Sequence, residues 1–294
     1  MGAVLLQLAA GGLAIGIIYG LIALGFTMII RALDLVNFAQ GQMMMLGAMV
    51  GFTLVTTGRM PYAVAFVGAV AATALLGYLA DRAVFRPMRQ RGAPMINLLI
   101  ATIGLSIFLQ NIAIPIWGSQ PLRYPPVFGA RPLQIGGVAI PSYVVPSLIV
   151  GVAASLALMV FFTRTRTGLA MRAAAQDMAT ARLMGVDIDR MVSYTFAISA
   201  ALGGAAGVLL APVIFASFSM GEIGVKAFVA AAIGGLGNVP GAILGGLILG
   251  WIETYSAAFI SSSNKDAITY GILIVLLLFL PQGLLGSKRG RPDR

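Results

Sequence analysis

Long apolar stretches alternate with short polar ones along almost the whole chain. Runs near 8–30, 61–80, 95–117, 141–163, 192–214, 240–260 and 267–285 each approach the roughly 20 residues that a helix needs to cross about 30 Å of hydrocarbon. A further run at 38–56 completes the first half, and 223–237 (IGVKAFVAAAIGGLG) is apolar but short for a full span. The pattern predicts an all-α polytopic membrane protein with about eight to nine transmembrane helices. Composition agrees: 59% of the 294 residues are hydrophobic and 10% charged, against about 25% charged in soluble domains.

Charge sets the expected orientation. The formal net charge is +10, but the arginines sit in short segments between spans, as the positive-inside rule describes, and this argues against a nucleic-acid partner. Three segments are basic: Asp81–Arg91, the loop 164–190, and a tail with Lys288, Arg289, Arg291 and Arg294. All three are expected in the cytoplasm. Segment 118–140, with Arg123 and Arg131 among prolines and glycines, is expected outside. Counting back from Asp81–Arg91 puts the N-terminus outside. Counting forward reaches a cytoplasmic tail only if 223–237 also crosses, as a short or broken helix. The first residues, MGAVLLQLAAGG, lack the basic segment of a cleaved leader and are expected to be retained.

This count suggests an internal repeat. Asn37-Phe-Ala-Gln-Gly41 follows the first span, and Ser217-Phe-Ser-Met-Gly221 follows the span at 192–214. Both read polar-Phe-small-x-Gly, both are followed by an amide or acid (Gln42, Glu222), and both lead into a small-residue helix. Repeats of about 8–117 and 192–286 would run in opposite directions, joined by the span at 141–163. Inverted repeats that set the substrate path at their interface are a common transporter plan.

The 37 glycines have two readings. Gly234, Gly235, Gly237, Gly241 and Gly245 suit close helix packing, or a broken helix beside the permeation path. No Lys-Ser/Thr follows them, so no phosphate-cradling loop is present. Polar groups inside the apolar runs are candidates for the substrate path: Asn37, Gln40, Gln42, Ser219, Glu222 and Glu253. Glu222 and Lys226 stand four apart, in the favourable order for a helical ion pair. Asp34 is placed to pair with Arg31. The chain has no cysteine or histidine, so no disulfide, thiolate metal site or Ser–His pair is available. With no intramembrane aspartate pair either, an intramembrane enzyme is disfavoured, and no metal or catalytic residue is assigned.

The loop 164–190 is the exception to the apolar pattern. Thr167-Gly168 is a plausible helix start and Gly185 a natural stop. Met171, Ala174, Met178, Ala181 and Gly185 recur at spacings of three and four, a narrow apolar stripe. One short amphipathic helix, or two separated near Asp177, is expected at the cytoplasmic surface. Lipid-resting helices favour Leu, Phe and Trp, whereas Met adapts to protein grooves, so the stripe is expected to face a partner protein.

Arg172-Ala-Ala-Ala-Gln-Asp177 followed by Ala181-Arg-Leu-Met-Gly185-Val-Asp closely resembles the cytoplasmic coupling loop of branched-chain amino acid ABC transporter permeases. Leu35-Val-Asn-Phe-Ala-Gln-Gly41, Phe85-Arg-Pro-Met88, Ser106-Ile-Phe-Leu-Gln-Asn111 and Ile233-Gly-Gly-Leu-Gly-Asn-Val-Pro-Gly241 resemble the same family in collinear order, from about residue 13 to 286. The likeness is closest to the LivH-type, smaller permease subunit. It implies a single transmembrane permease domain over 1–294 in the bacterial inner membrane. It also implies a second homologous permease, two cytoplasmic ATPases and a periplasmic binding protein as partners, with ATP and magnesium held by the ATPases and no cofactor on this chain. By the same resemblance Arg172, Asp177, Met178, Ala181, Leu183 and Gly185 couple to an ATPase. The implied function is import of branched-chain or other small apolar amino acids, or related small molecules. The alternative is a self-contained secondary transporter or channel for a small polar or zwitterionic solute.

Overall fold

The computed structural model describes residues 2–125, 133–135, 138–262, 264–280 and 282–286. The expected basic tail (Lys288, Arg289, Arg291, Arg294) and Arg131 lie outside them.

The chain is almost entirely helical. Helix α1 spans Gly2–Leu33, α2 Gln40–Thr56 and α3 Tyr62–Ala80. α3 runs on through a π-helical turn, Asp81–Phe85, into α4, Arg86–Gln90. Then come α5 (Met95–Trp117), α6 (Val144–Arg164), α7 (Arg166–Gln176), α8 (Met178–Leu183) and α9 (Ile188–Ile214). A 3₁₀ turn, Phe218–Glu222, leads into α10 (Ile223–Gly234), followed by α11 (Val239–Phe259) and α12 (Lys265–Phe279). A small antiparallel hairpin, β1 (Leu133–Ile135) with β2 (Val138–Ile140), stands in the α5–α6 connection and pairs Leu133 with Ile140. Apolar patterning gives no sign of it.

Six helices among the described residues are long and apolar enough to cross a membrane: Val4–Leu33, Tyr62–Gln90, Met95–Trp117, Val144–Arg164, Ile188–Ile214 and Val239–Phe259. Three further apolar helices are shorter: α2 has 17 residues, α10 has 12 and α12 has 15. At 1.5 Å per residue α10 reaches about 18 Å. The chain is a multi-pass membrane protein; six of its described helices have that length and apolarity, and the eight to nine expected are reached only if the shorter α2, α10 and α12 also cross.

Glycine contacts set the helix pairing. Gly12, Gly16 and Gly20 of α1 face Gly250, Gly246 and Ile243 of α11 in turn, so the two helices run antiparallel with their backbones touching. A β-carbon at Gly16, Gly246 or Gly250 would overlap the opposite backbone, as small-residue interfaces in membranes require. α9 is central. It runs parallel to α2, with Gly47 on Gly204 and Gln40 on Ser199, and antiparallel to α3, with Gly77 on Phe196 and Ala200. Gly234, Gly241 and Gly245 close the α10–α11 turn, where Gly234 and Gly241 each lie on the other's carbonyl and Gly245 lies on that of Ala230. Gly235 and Gly237 take φ of 105° and 84° there, the left-handed region that glycine tolerates.

A second core cluster ties the loop 164–190 to the bundle. Phe85 and Phe196 stack with centroids 4.9 Å apart, and Ile29, Leu35, Ala174 and Ala181 pack into the same cluster. Buried Asp81 joins it from the polar side, accepting from Arg89 and from the Ser193 hydroxyl, both at 2.6 Å. Arg86 and Arg89 also approach Asp189, at 3.7 and 3.9 Å. Two segments expected at the cytoplasmic face thus meet.

Candidate functional site

The two polar-Phe-small-x-Gly stretches pack against each other. A β-carbon at Gly41 would overlap the Gly221 carbonyl, and one at Gly224 would overlap Gly41. The N-terminal ends of α2 and α10 therefore meet. Each is reached by a break in the chain. α1 ends at Asp34, whose φ is 52°, and α9 ends at Phe215, whose φ is 74°. The α2 break is tied sideways, since the Phe38 backbone N–H donates to Thr102 Oγ1 of α5 at 3.3 Å.

Beside this junction lies a cavity of about 380 Å³ between α1, α2, α5 and α10. Phe26, Phe38, Ile103 and Phe228 form much of its wall. Gln42, Ser106, Gln110 and Glu222 give it polar groups. That volume falls within the usual range of small-molecule sites, about 300–1,000 Å³.

The six polar candidates separate into three places. Gln42 and Glu222 line the cavity. Asn37 and Gln40 are buried beside it in local structure. Asn37 Oδ1 accepts from the Ala39 N–H at 3.1 Å and shapes the turn into α2. Gln40 Nε2 donates to the Ser199 carbonyl at 2.8 Å, and the Ser199 hydroxyl lies 2.8 Å from both Gln40 Oε1 and the Gly25 carbonyl. Ser219 is exposed in the 3₁₀ turn, 3.0 Å from the Ser217 hydroxyl. Glu253 sits in a separate buried cluster, accepting from the Tyr19 hydroxyl at 2.6 Å and from Lys226 Nζ at 2.7 Å. Lys226 also donates to Asp266 at 2.6 Å, and Lys265 approaches Glu253 at 3.4 Å.

The expected Glu222–Lys226 pair is not formed. Lys226 turns to Glu253 and Asp266 instead, because α10 packs its lysine face against α11 and the start of α12. The structural glycines lie at the α10–α11 turn. There Gly237 borders a groove with Arg31 and Asp34, away from the cavity.

The loop 164–190 forms two helices broken at Asp177, whose backbone is extended (φ −152°, ψ 106°). The cap of the first is Thr165, two residues before the expected Thr167, accepting from the Gly168 N–H at 2.9 Å. Asp177 caps the second, accepting from the Ala179 and Thr180 N–H groups at 2.8 and 3.1 Å and from the Thr180 hydroxyl at 2.5 Å. The carboxyl is held below its ordinary range, first by the Thr180 hydroxyl and next by the Thr180 N–H. Gly185 ends the helix with φ 85°.

The apolar stripe does not face outward. Met171, Ala174 and Ala181 are buried in the chain's own core, Ala181 at 4% exposure. The break at Asp177 resets the helical phase, so Met178 leaves the stripe and stands exposed. Arg172, whose buried Nε has no hydrogen-bond partner among the described residues, lines a groove with Arg31 and Thr195. The most exposed apolar residues of the loop are Leu183 and Met184, at 88% and 81%, ahead of Leu169 at 59%. Met184 was not among the candidates. Its signal is a methionine directly before the stopping glycine.

The family model for the permease component of branched-chain amino acid transport systems matches residues 8–278. The chain belongs to that family. A permease component is a transport part rather than a catalyst. Over 296 residues the permease is 36% identical to the high-affinity branched-chain amino acid transport system permease protein LivH of Escherichia coli K12, covering 96% of this chain and 95% of the relative. It is 35% identical to the permease protein BraD of Pseudomonas aeruginosa, with the same coverage. The probable permease protein LivH of Methanocaldococcus jannaschii is 29% identical over 90% of this chain and 88% of its own. Among solved structures, PsaBC from Streptococcus pneumoniae in complex with Fab resembles it with a TM-score of 0.50 at 14% identity, covering 91% of this chain and 90% of that one. That likeness concerns the fold alone.

Proposed function

We propose that this permease is one membrane subunit of an ATP-driven ABC importer in a bacterial inner membrane. It works with a second homologous permease, two cytoplasmic ATPases and a periplasmic binding protein. ATP and magnesium belong to the ATPases, and this chain holds no cofactor of its own. The substrate class is branched-chain or other small apolar amino acids, a reading supported by relatives named for branched-chain amino acid transport. Residues 1–294 form one transmembrane domain with inverted repeats at about 8–117 and 192–286. The meeting of Gly41 with Gly221 and Gly224 supports that reading, as does the matching break before α2 and before α10.

The observation that carries the coupling role is the pair Leu183–Met184. Both are almost fully exposed, yet they end a helix capped by Asp177 and anchored by buried Ala181. A fixed apolar tip in a polar loop suits a groove on a cytoplasmic partner. ATP-driven closure of the ATPases would move this tip and reopen the bundle.

The test is affinity purification in mild detergent of the intact permease and of a Leu183→Asp, Met184→Asp variant. Because both side chains are exposed, the variant is expected to fold and keep the second permease while losing the ATPases. Recovery of the intact chain alone would move the reading to a self-contained carrier.

A further inference from the structure

The cavity beside the α2–α10 junction has uneven chemistry. Gln42 is only 5% exposed. Its Nε2 points to the Ser106 hydroxyl at 3.4 Å, while its Oε1 is buried with no donor. Buried polar atoms in folded proteins nearly always have partners, so a bare acceptor on a residue of the cavity wall, closed off beside Gly221 until the amide turns, marks a place for a ligand. The Gln42 amide rests on Gly221, where a β-carbon would overlap it, so this acceptor lies beside the backbone that carries Glu222.

Glu222 is the second unmatched group. Among the described residues it makes no ion pair within 4 Å, and Lys226, one helical turn on, is held by Glu253 and Asp266. The cavity's lining includes no cationic side chain. It therefore has acceptors in surplus and a net negative charge, set among apolar walls. A carboxylate finds no counter-charge from any lining side chain, whereas a group with N–H donors and a positive charge is complementary to this lining.

We propose that this cavity receives the ammonium end of the transported solute, with Glu222 as its counter-charge and Gln42 Oε1 as an acceptor. Phe26, Phe38 and Phe228 then hold the apolar part. The assignment rests on the amino-acid importer reading above and adds to it the group recognised and the residues that recognise it.

The experiment is uptake into proteoliposomes carrying the whole transporter, with leucine and its deaminated analogue 4-methyl-2-oxopentanoate as probes. The wild type is expected to carry leucine and not the oxo acid. Glu222→Gln and Gln42→Leu each lower leucine uptake about tenfold or more, the worth of a charge-assisted hydrogen bond. Glu222→Asp keeps more uptake than Glu222→Gln. Co-purification of the second permease and the ATPases with each variant separates loss of recognition from loss of assembly. If Glu222→Gln failed to assemble, Gln42→Leu would decide alone. Leucine uptake by both variants at the wild-type rate would overturn the assignment and leave the importer reading intact. A wild-type complex that hydrolysed ATP but carried no amino acid would overturn the substrate reading, and this assignment with it.

Discussion

A few single residues define the loop 164–190, and Asp177 does most to shape it. Its extended backbone ends α7, and its carboxylate satisfies the first N–H groups of α8. Only the ionised form accepts all three hydrogen bonds, which is why the carboxyl is held low. The folded value is depressed, so the cap's stabilising contribution is fully present above the ordinary aspartate range. It is lost as pH falls through that range to the depressed value. Hydrogen exchange at the Ala179 and Thr180 amides should therefore stay protected at neutral pH and lose protection in acid. Asp177→Asn, which keeps an acceptor, should retain much of the protection, and Asp177→Ala should remove it at every pH. Equal protection in all three proteins would show that tertiary packing, through Ala181, holds α8 without the cap.

Between helices, contacts distant in sequence override local ones. Sequence spacing favours Glu222 for Lys226, yet the lysine binds Glu253 on α11 and Asp266 on α12, 27 and 40 positions away. Tyr19 adds a bond from α1, so the cluster joins four helices. Removing the buried lysine leaves Glu253 with Tyr19 and the more exposed Lys265, 3.4 Å away, in place of its 2.7 Å partner. Lys226→Met should lower stability by about 3–5 kcal/mol, and adding Glu253→Gln should restore part of the loss. Thermal unfolding in detergent reads both, and a double variant no more stable than the single one would show that Glu253 is satisfied without the lysine. The same contrast decides what the sequence could disclose. α5 matches its predicted span, 95–117, because Pro94 and Gly118 punctuate it. The glycine spacing pointed to close packing, but no local rule could pair Gly12, Gly16 and Gly20 with α11. The stripe in the loop was visible as a pattern, but its facing was not, because the phase break at Asp177 is a backbone event. Of the cavity, the motif residues Gln42 and Glu222 were legible. Ser106 and Gln110 stood in the Ser106–Asn111 motif but were not assigned to the substrate path, because only the fold brings α5 to the α2–α10 junction.

Across the whole molecule, the arginine distribution and the helix directions make one scheme. The basic Asp81–Arg91 segment meets the loop 164–190 through Asp189. The α10–α11 turn lies with Arg31 and Asp34 at the end of α1. If the basic end is cytoplasmic, α10 must bring the chain back to that side, although its 12 residues are too few to cross alone. The α2–α3 connection must then lie outside, where the Tyr62 hydroxyl reaches the Val208 carbonyl near the far end of α9. The chain has no cysteine, so single cysteines can test the scheme without background. Leu236 and Met60 are both exposed and lie on these two turns. Leu236→Cys should resist a membrane-impermeant maleimide in intact spheroplasts and react in inside-out vesicles, and Met60→Cys should do the reverse. Labelling of Leu236→Cys from outside would mean that α10 does not return the chain to the cytoplasmic side. The opposed repeats would then fail, because their relation depends on α2 and α10 leaving the junction toward opposite faces of the membrane.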